Sequence, residues 1–222
     1  MRNMGYYENL IRGSDDFPVE FYSMDKNNPR YEMKLHWHNE VEIIYVESGK
    51  LELQLNGRQF TMEKGDVVYI NENIPHSGIP YDCIYHCIVF SEKKMFKNAP
   101  ALFSEALSFE CCVLHNDRHA IKYISTAIVE STRMVKGDIF RIYSNLFALY
   151  SQLSHAEKLE VSLNEKSSKK MDALKNAIEI IETEYKNEIT LKTLADACNM
   201  TPEYFCSFFK KFTGRTQFEY LN

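Results

Sequence analysis

No uncharged apolar run in this chain approaches the roughly 20 residues that a helix needs to cross a bilayer, so no membrane-spanning helix is expected. The first residues, Met1-Arg2-Asn3-Met4-Gly5-Tyr6-Tyr7-Glu8, lack the apolar core of a secretory signal. No CxxC pair occurs among Cys83, Cys87, Cys111, Cys112, Cys198 and Cys206, and their spacing is not that of a secreted disulfide framework. Reduced thiols in a cytoplasmic protein are therefore expected. An excess of positive charge is missing too. The net charge of −5 at pH 7 argues against a protein that coats nucleic acid indiscriminately. It leaves room for a small DNA-reading element with local positive charge. What is present is an ordinary globular composition, 45% hydrophobic and 26% charged. Its 222 residues suffice for one large domain or two modest ones.

Residues 1–34, with Pro18 and Pro29 among charges, suit an N-terminal arm and one or two short strands. From Lys34 to about Phe90 the pattern is β. Strand-like runs lie at Leu35–Val46, Leu51–Leu55, Phe60–Met62, Val67–Ile70 and Tyr81–Phe90. They are parted by Ser48-Gly49, Asn56-Gly57, Lys64-Gly65-Asp66 and the stretch from Asn71 to Pro80. Asn56-Gly57 is the strongest hairpin signal, because both residues tolerate positive φ. Leu51, Leu53 and Leu55 alternate with Glu52 and Gln54, which gives a strand one wet face. Many short strands at this spacing predict a sandwich or barrel. The chemistry is concentrated in His36-Trp37-His38-Asn39-Glu40-Val41-Glu42. On a single strand, alternate side chains share a face, so His36, His38 and Glu42 would project together. Two imidazoles and a carboxylate on one face suit a metal, a small molecule or a cluster bonded only to itself.

Beyond about Lys93 the period becomes helical. Ile121, Ile124 and Ile128 recur between His119 and Met134, and Ile139, Ile142, Leu146, Leu149 and Leu153 form a stripe from Asp138 to Leu153. Asp138 is the expected N-cap of that second helix. The pair predicts a helical hairpin that docks on the β domain or on a second copy of the chain, so helices 119–153 are the expected homodimer contact. Ser162–Lys170 is polar and aperiodic, an expected linker.

Residues 171–222 read as a separate helical unit, with an apolar stripe of Met171, Leu174, Ile178, Ile181 and Tyr185. A short helix from Thr190 to Cys198 is followed by Asn199, where the turn needs positive φ. Thr201 is a good N-cap and Pro202 suits the first helical position of a helix running to Phe212. Helix, tight turn, helix is the geometry that puts a second helix into the major groove. Thr201, Glu203, Tyr204, Cys206 and Ser207 are the side chains placed to approach base edges, and Lys210, Lys211 and Arg215 would meet phosphates. Phe205, Phe208, Phe209 and Phe212 are expected in the core. Eight acidic side chains outnumber six basic ones here, so binding should be weak and salt-sensitive. Thr216-Gln217-Phe218-Glu219 is a capping box that announces a further helix just before Asn222. A helix that short is not stable alone, so a fragment of a longer protein is expected.

Both halves resemble one family. His36-x-His38-xxx-Glu42-xxxxxx-Gly49, then Gly65-Asp66 and Pro75-His76, resembles the two cupin motifs, with fifteen residues between Gly49 and Gly65. His-Trp-His-Asn-Glu-Val-Glu-Ile-Ile-Tyr-Val-Glu-Ser-Gly is similar to the sensor domain of AraC-type regulators. Leu191-x-x-Leu194-Ala195-x-x-Cys198-Asn199-Met200-Thr201-Pro202-x-Tyr204-Phe205-x-x-x-Phe209-Lys210-Lys211-x-x-Gly214 resembles their first helix-turn-helix. The family carries two such units; only the first and the start of the joining helix are found, and Ser207 stands where an arginine is frequent. The resemblance implies an α+β chain of two domains. Residues 1–100 would be a cupin-like antiparallel β-barrel (a jelly roll) and 101–161 its helical dimerisation hairpin. Residues 162–170 would be the linker and 171–222 an all-α helix-turn-helix unit. It adds His76 to His36, His38 and Glu42, a set that suits Zn, Fe, Mn or Ni or, without metal, the wall of an effector pocket. Double-stranded promoter DNA, a small effector such as a sugar, and a second copy are the implied partners. The competing reading is a metal-dependent cupin isomerase or dioxygenase with a helical appendage. The Thr201-Pro202 helix, which an enzyme does not need, favours the regulator.

Overall fold

The computed structural model describes residues 6–8, 10, 12–14, 16–95, 97, 111–133, 135, 137–161, 165–184, 189–213 and 216–218. In chain order the strands are β1 (Tyr6–Tyr7), β2 (Val19–Met24), β3 (Met33–Trp37), β4 (Val41–Leu55), β5 (Arg58–Glu63), β6 (Val67–Ile70), β7 (His76–Phe90), β8 (Cys112–Leu114) and β9 (Glu157–Lys158). The helices are α1 (Glu92–Met95), α2 (Arg118–Arg133), α3 (Asp138–Leu153), α4 (Glu165–Glu184), α5 (Leu191–Ala197) and α6 (Pro202–Thr213). The chain divides into two compact units: Asn9–Met33 with His38–Val161, and Met1–Glu8 with Lys34–Trp37 and Ser162–Asn222. No helix among the described residues is long and apolar enough to cross a membrane, and all six cysteines are free thiols.

The first unit is built on an antiparallel sheet in the order β7-β4-β6-β8-β9, with β2 on β7 and β5 on β4. The hairpin between β4 and β5 turns on Asn56 and Gly57, with φ of 50° and 82°, as their tolerance of positive φ predicts. β4 does not stop at Ser48-Gly49 as expected. It runs through them as a bulge, where pairing with β7 slips between Val46 and Ser48 and again between Ser48 and Lys50. Gly49 sits there at φ 74°, and a Cβ would lie 2.1 Å from the carbonyl oxygen of Asp82 on β7. Only glycine fits. β7 likewise starts at His76 rather than Tyr81, because Ile79 to Tyr81 continue the ladder opposite Lys50 to Glu52.

The bulge lets the sheet fold over itself. Val41 pairs with Phe90 at one end of β4 and Leu55 pairs with His76 at the other. In a flat strand Glu42 and Leu55 would stand roughly 40 Å apart, yet His76 Nε2 lies 3.1 Å from Glu42 Oε2. Ile44, Val46, Leu51, Leu53 and Leu55 of β4 fill one face with Met62, Val68 and Ile70. On the other face Val41, Ile43 and Tyr45 pack with Ile88, Phe90 and the α2–α3 hairpin, through Ala120, Ile124, Ile142, Leu146 and Leu149. Glu92 pins this hairpin to the sheet: Tyr69 of β6 and Tyr150 of α3 donate to its Oε1 at 2.9 and 2.5 Å. Burial pushes the Glu92 carboxyl up, against the downward pull of the two hydroxyls. Asp138 is not the cap of α3. Gly137 takes that position at φ 100°, and Asp138, buried as the first helical residue, accepts from the backbone N–H of Val135 at 2.6 Å.

In the second unit β1 pairs in parallel with β3, Tyr6 with His36 and Tyr7 with Trp37. Tyr7 and Trp37 join Leu174, Ala177, Ile178 and Ile181 of α4, Leu194 of α5, and Phe205, Phe208 and Phe209 of α6 in one core. α4 begins at Glu165, inside the expected linker. Lys and Glu are good helix formers, so a polar stretch can extend the helix that Leu174 and Ile178 anchor. α5 is capped by Thr190, whose hydroxyl accepts from Thr193 N–H at 3.1 Å. It ends in a Schellman turn: Met200 N–H bonds Ala195 O, Asn199 N–H bonds Asp196 O, and Asn199 has φ 52°. Thr201 caps α6 through Tyr204 N–H at 3.3 Å. Met171, Tyr185 and Phe212, three expected core side chains, lie outside the described side chains, as does Glu219 of the box at 216–219.

Gly49→Ala should cost at least about 2 kcal/mol in urea denaturation, through backbone strain and overlap with Asp82. Gly57→Ala, also at positive φ but with nothing within 4 Å of a Cβ, should cost only about 1 kcal/mol.

Candidate functional site

The run Leu35–Val46, expected as one strand, is two. β3 ends at Trp37 and β4 begins at Val41, with a bend at His38-Asn39-Glu40 between them. His38 therefore sits on the bend and Glu42 on β4, and simple alternation along one strand does not bring them together. Two bonds fix the bend: Arg12 donates to the Glu40 carboxylate at 2.9 Å, and Asn73 N–H donates to the His38 carbonyl at 2.8 Å. Asn73 belongs to the short link before β7, so the same bond sets the approach of His76.

His38, Glu42 and His76 converge in the first unit, and all three are buried. Each imidazole Nε2 lies 3.1 Å from Glu42 Oε2, and the two rings stand edge to face with centroids 5.2 Å apart. Burial alone would raise the Glu42 carboxyl. The hydrogen bonds and charge of His38 and His76 outweigh it and hold the group well below the usual carboxylate range.

The orientation of the rings decides what the cluster can hold. His38 Nδ1 bonds the Glu40 carbonyl at 3.0 Å and His76 Nδ1 bonds the Ile74 carbonyl at 2.7 Å. A carbonyl only accepts, so both Nδ1 atoms carry the proton. A neutral ring then presents a lone pair from Nε2 to a carboxylate that also only accepts. The contact is attractive if the rings are imidazolium, or if a cation lies among the three groups. Backbone-anchored Nδ1–H with Nε2 facing inward is the arrangement of metal-binding histidines.

His36, the remaining member of the sequence-predicted set, belongs to the other unit. Its Nδ1 bonds the Lys34 carbonyl at 2.7 Å and its Nε2 lies 4.0 Å from a Glu8 carboxylate oxygen. Arg12 and Glu40 were not anticipated; an arginine in the proline-containing arm carries no local pattern that would reveal its partner.

On α6, Glu203, Tyr204, Ser207 and Lys210 share the exposed face, with Tyr204 half exposed and stacked on Phe208. Thr201 is exposed and occupied as the cap. Cys206 is half-buried and accepts from Gln217 Nε2 at 3.6 Å, turned toward the helical core. The side chain of Lys211 and the whole of Arg215 lie outside the described residues.

Residues 18–121 match the family model described as an AraC-like ligand binding domain. The match runs from the residue before β2 to the first turn of α2 and holds His38, Glu42 and His76. A relative from Bacillus subtilis (strain 168), the uncharacterized HTH-type transcriptional regulator YdeC, is 24% identical over 226 residues, 93% of this chain and 75% of its own. Among solved structures, ToxT from Vibrio cholerae with an unsaturated fatty acid bound is 12% identical, covers 91% of this chain and 94% of its own, and has a TM-score of 0.43. The AraC-like transcriptional activator CuxR is 10% identical, covers 92% and 70%, and has a TM-score of 0.40. The family model and the Bacillus subtilis relative are thus similarities to transcription regulators.

His76→Ala leaves the buried Glu42 carboxylate with one of its two imidazole partners. It should lower stability by about 1–3 kcal/mol in urea denaturation.

Proposed function

We propose that the chain is an effector-responsive, DNA-binding transcription regulator of the AraC type. In this reading the folded sheet is a cupin-like jelly-roll barrel over residues 1–100, the α2–α3 hairpin within 101–161 is the dimer contact, and 162–170 is the junction. Residues 171–222 then carry the first helix-turn-helix. The barrel binds a small effector, a sugar in the first instance, at a site that also holds a divalent cation. The observation that carries the metal is the shared orientation of His38 and His76, each with Nδ1–H on a backbone carbonyl and Nε2 on Glu42. With a cation bound, both rings remain neutral and each Nε2 lone pair has a partner. His36, two residues before His38, is proposed as a further ligand on its sequence spacing. A bound cation would supply a positive centre for an oxygen donor of the effector; Zn, Fe, Mn and Ni all accept this ligand type.

The dimer is supported by α3, where Phe140 and Phe147, two helical turns apart, are 80% and 50% exposed. The reader is supported by α6, whose exposed row of Glu203, Tyr204, Ser207 and Lys210 opposes buried Phe205, Phe208 and Phe209. Thr201, Cys206, Lys211 and Arg215 complete the DNA-contacting set proposed from the sequence. Effector binding acts by differential affinity for alternative arrangements of sensor and reader.

Elemental analysis of the untagged full chain, paired with fluorescence anisotropy of a labelled promoter fragment at two salt concentrations, tests both halves. About one divalent ion per chain is expected, lost in His76→Ala, with DNA affinity falling as salt rises. Protein free of metal after gentle purification sinks the metal site. Affinity indifferent to salt, or no binding, sinks the reader.

A further inference from the structure

A cavity of about 330 Å3 lies between β2 and the end of α2. It sits on the helix-facing side of the sheet, whereas Glu42 shares the opposite face with Ile44 and Val46. Ser23 on its wall pairs with His86, whose alternate neighbours Ile88 and Phe90 belong to the helix-facing core. The volume is at the lower end of what small-molecule sites offer. Phe17, Phe21 and Ile128 make one part of the wall, and Glu20, Ser23, Ser131 and Thr132 the other.

The polar atoms of that wall share one property. Ser131 Oγ donates to the Ile128 carbonyl at 2.7 Å and Thr132 Oγ1 to the Val129 carbonyl at 2.8 Å, so both hydroxyl protons are committed to the helix. Glu20 Oε2 accepts from Gly13 N–H at 3.1 Å, and a carboxylate has several further lone-pair positions. His86 Nε2 lies 2.6 Å from a Glu47 carboxylate oxygen and must carry the proton. In the neutral ring Nδ1 therefore accepts from the Ser23 hydroxyl, 2.9 Å away. Three hydroxyl oxygens and one carboxylate are left to accept hydrogen bonds beside two phenyl rings.

A ligand for such a wall has to donate hydrogen bonds, carry positive charge and bring apolar surface. We propose that this cavity is a second binding site, for a small organic ammonium ion with an apolar body. The ammonium group donates to Glu20 and the hydroxyl oxygens of Ser131 and Thr132. The body lies against Phe17, Phe21 and Ile128, where the ring faces also favour a cation. An anionic ligand meets only acceptors and is rejected. The site adjoins α2, one helix of the proposed dimer hairpin, so its occupancy can bias that element without involving the His38 cluster.

The test is isothermal titration of the full chain with 2-phenylethylamine, with 2-phenylethanol and 3-phenylpropanoate as neutral and anionic comparators. Saturable binding of the amine is expected, with both comparators weaker by about tenfold or more, as the loss of a charge-assisted bond implies. Glu20→Gln removes the charge and Ser131→Phe fills the space; each should weaken the amine by about tenfold or more on the same grounds. Binding should persist in the presence of one equivalent of zinc. The proposal fails if the amine does not saturate, if the carboxylate binds as well as the amine, if both variants bind it unchanged, or if zinc displaces it.

Discussion

One contact closes this architecture on itself: Glu42, near the start of β4, meets His76, the residue paired with the end of the same strand. The contact requires the long β4–β7 ribbon to double over. That in turn requires a bulge at which Gly49 can pass the Asp82 carbonyl at a distance no side chain would allow. Once the ribbon has folded, a carboxylate and two imidazoles are sealed at the edge of an apolar core. All three are buried, where an uncompensated charge is costly.

The two faces of that ribbon then take different tasks. The inner face carries the titratable cluster among aliphatic side chains. The outer face is packed by α2 and α3, pinned through Glu92 between Tyr69 and Tyr150. The proposed regulator needs such a division, since a change at the inner site must be felt by elements that a partner surface can read. Trp37 stands in sequence between His36 and His38, and its side chain belongs to the core formed by α4, α5 and α6.

Much of this was legible in the residues. Asn56-Gly57, Thr190, Asn199 and Thr201 each specify a local conformation by their own stereochemistry, and each is found as expected, as is the α3 stripe from Ile142 to Leu153, although Ile139 at its start is exposed. The chemistry of His38, Glu42 and His76 was legible by residue type, but the reason for their meeting was not. Alternation along one strand suggested it; a bend at Asn39-Glu40 and a fold at Gly49 accomplish it, and both depend on partners far away in sequence, Arg12 and Asp82. Ser48-Gly49 reads as a turn because glycine marks turns and bulges alike, and only the partner strand distinguishes them. The polar run that opens α4 misleads for a similar reason: composition reports solvent exposure, not whether a helix passes through it. The cavity beside Ser23 leaves no trace in periodicity, since it joins β2 to a helix more than a hundred residues later.

The central claim is that the two rings turn unprotonated Nε2 atoms toward Glu42 and a cation. Long-range 1H–15N NMR of the imidazole nitrogens, on chelator-treated and zinc-loaded protein, reads this directly. The account predicts that His38 and His76 keep a proton on Nδ1 in both states and that zinc shifts their Nε2 resonances to those of a metal-bound nitrogen, at one ion per chain. Neutral rings protonated on Nε2, or Nε2 resonances that zinc leaves unmoved, would contradict it.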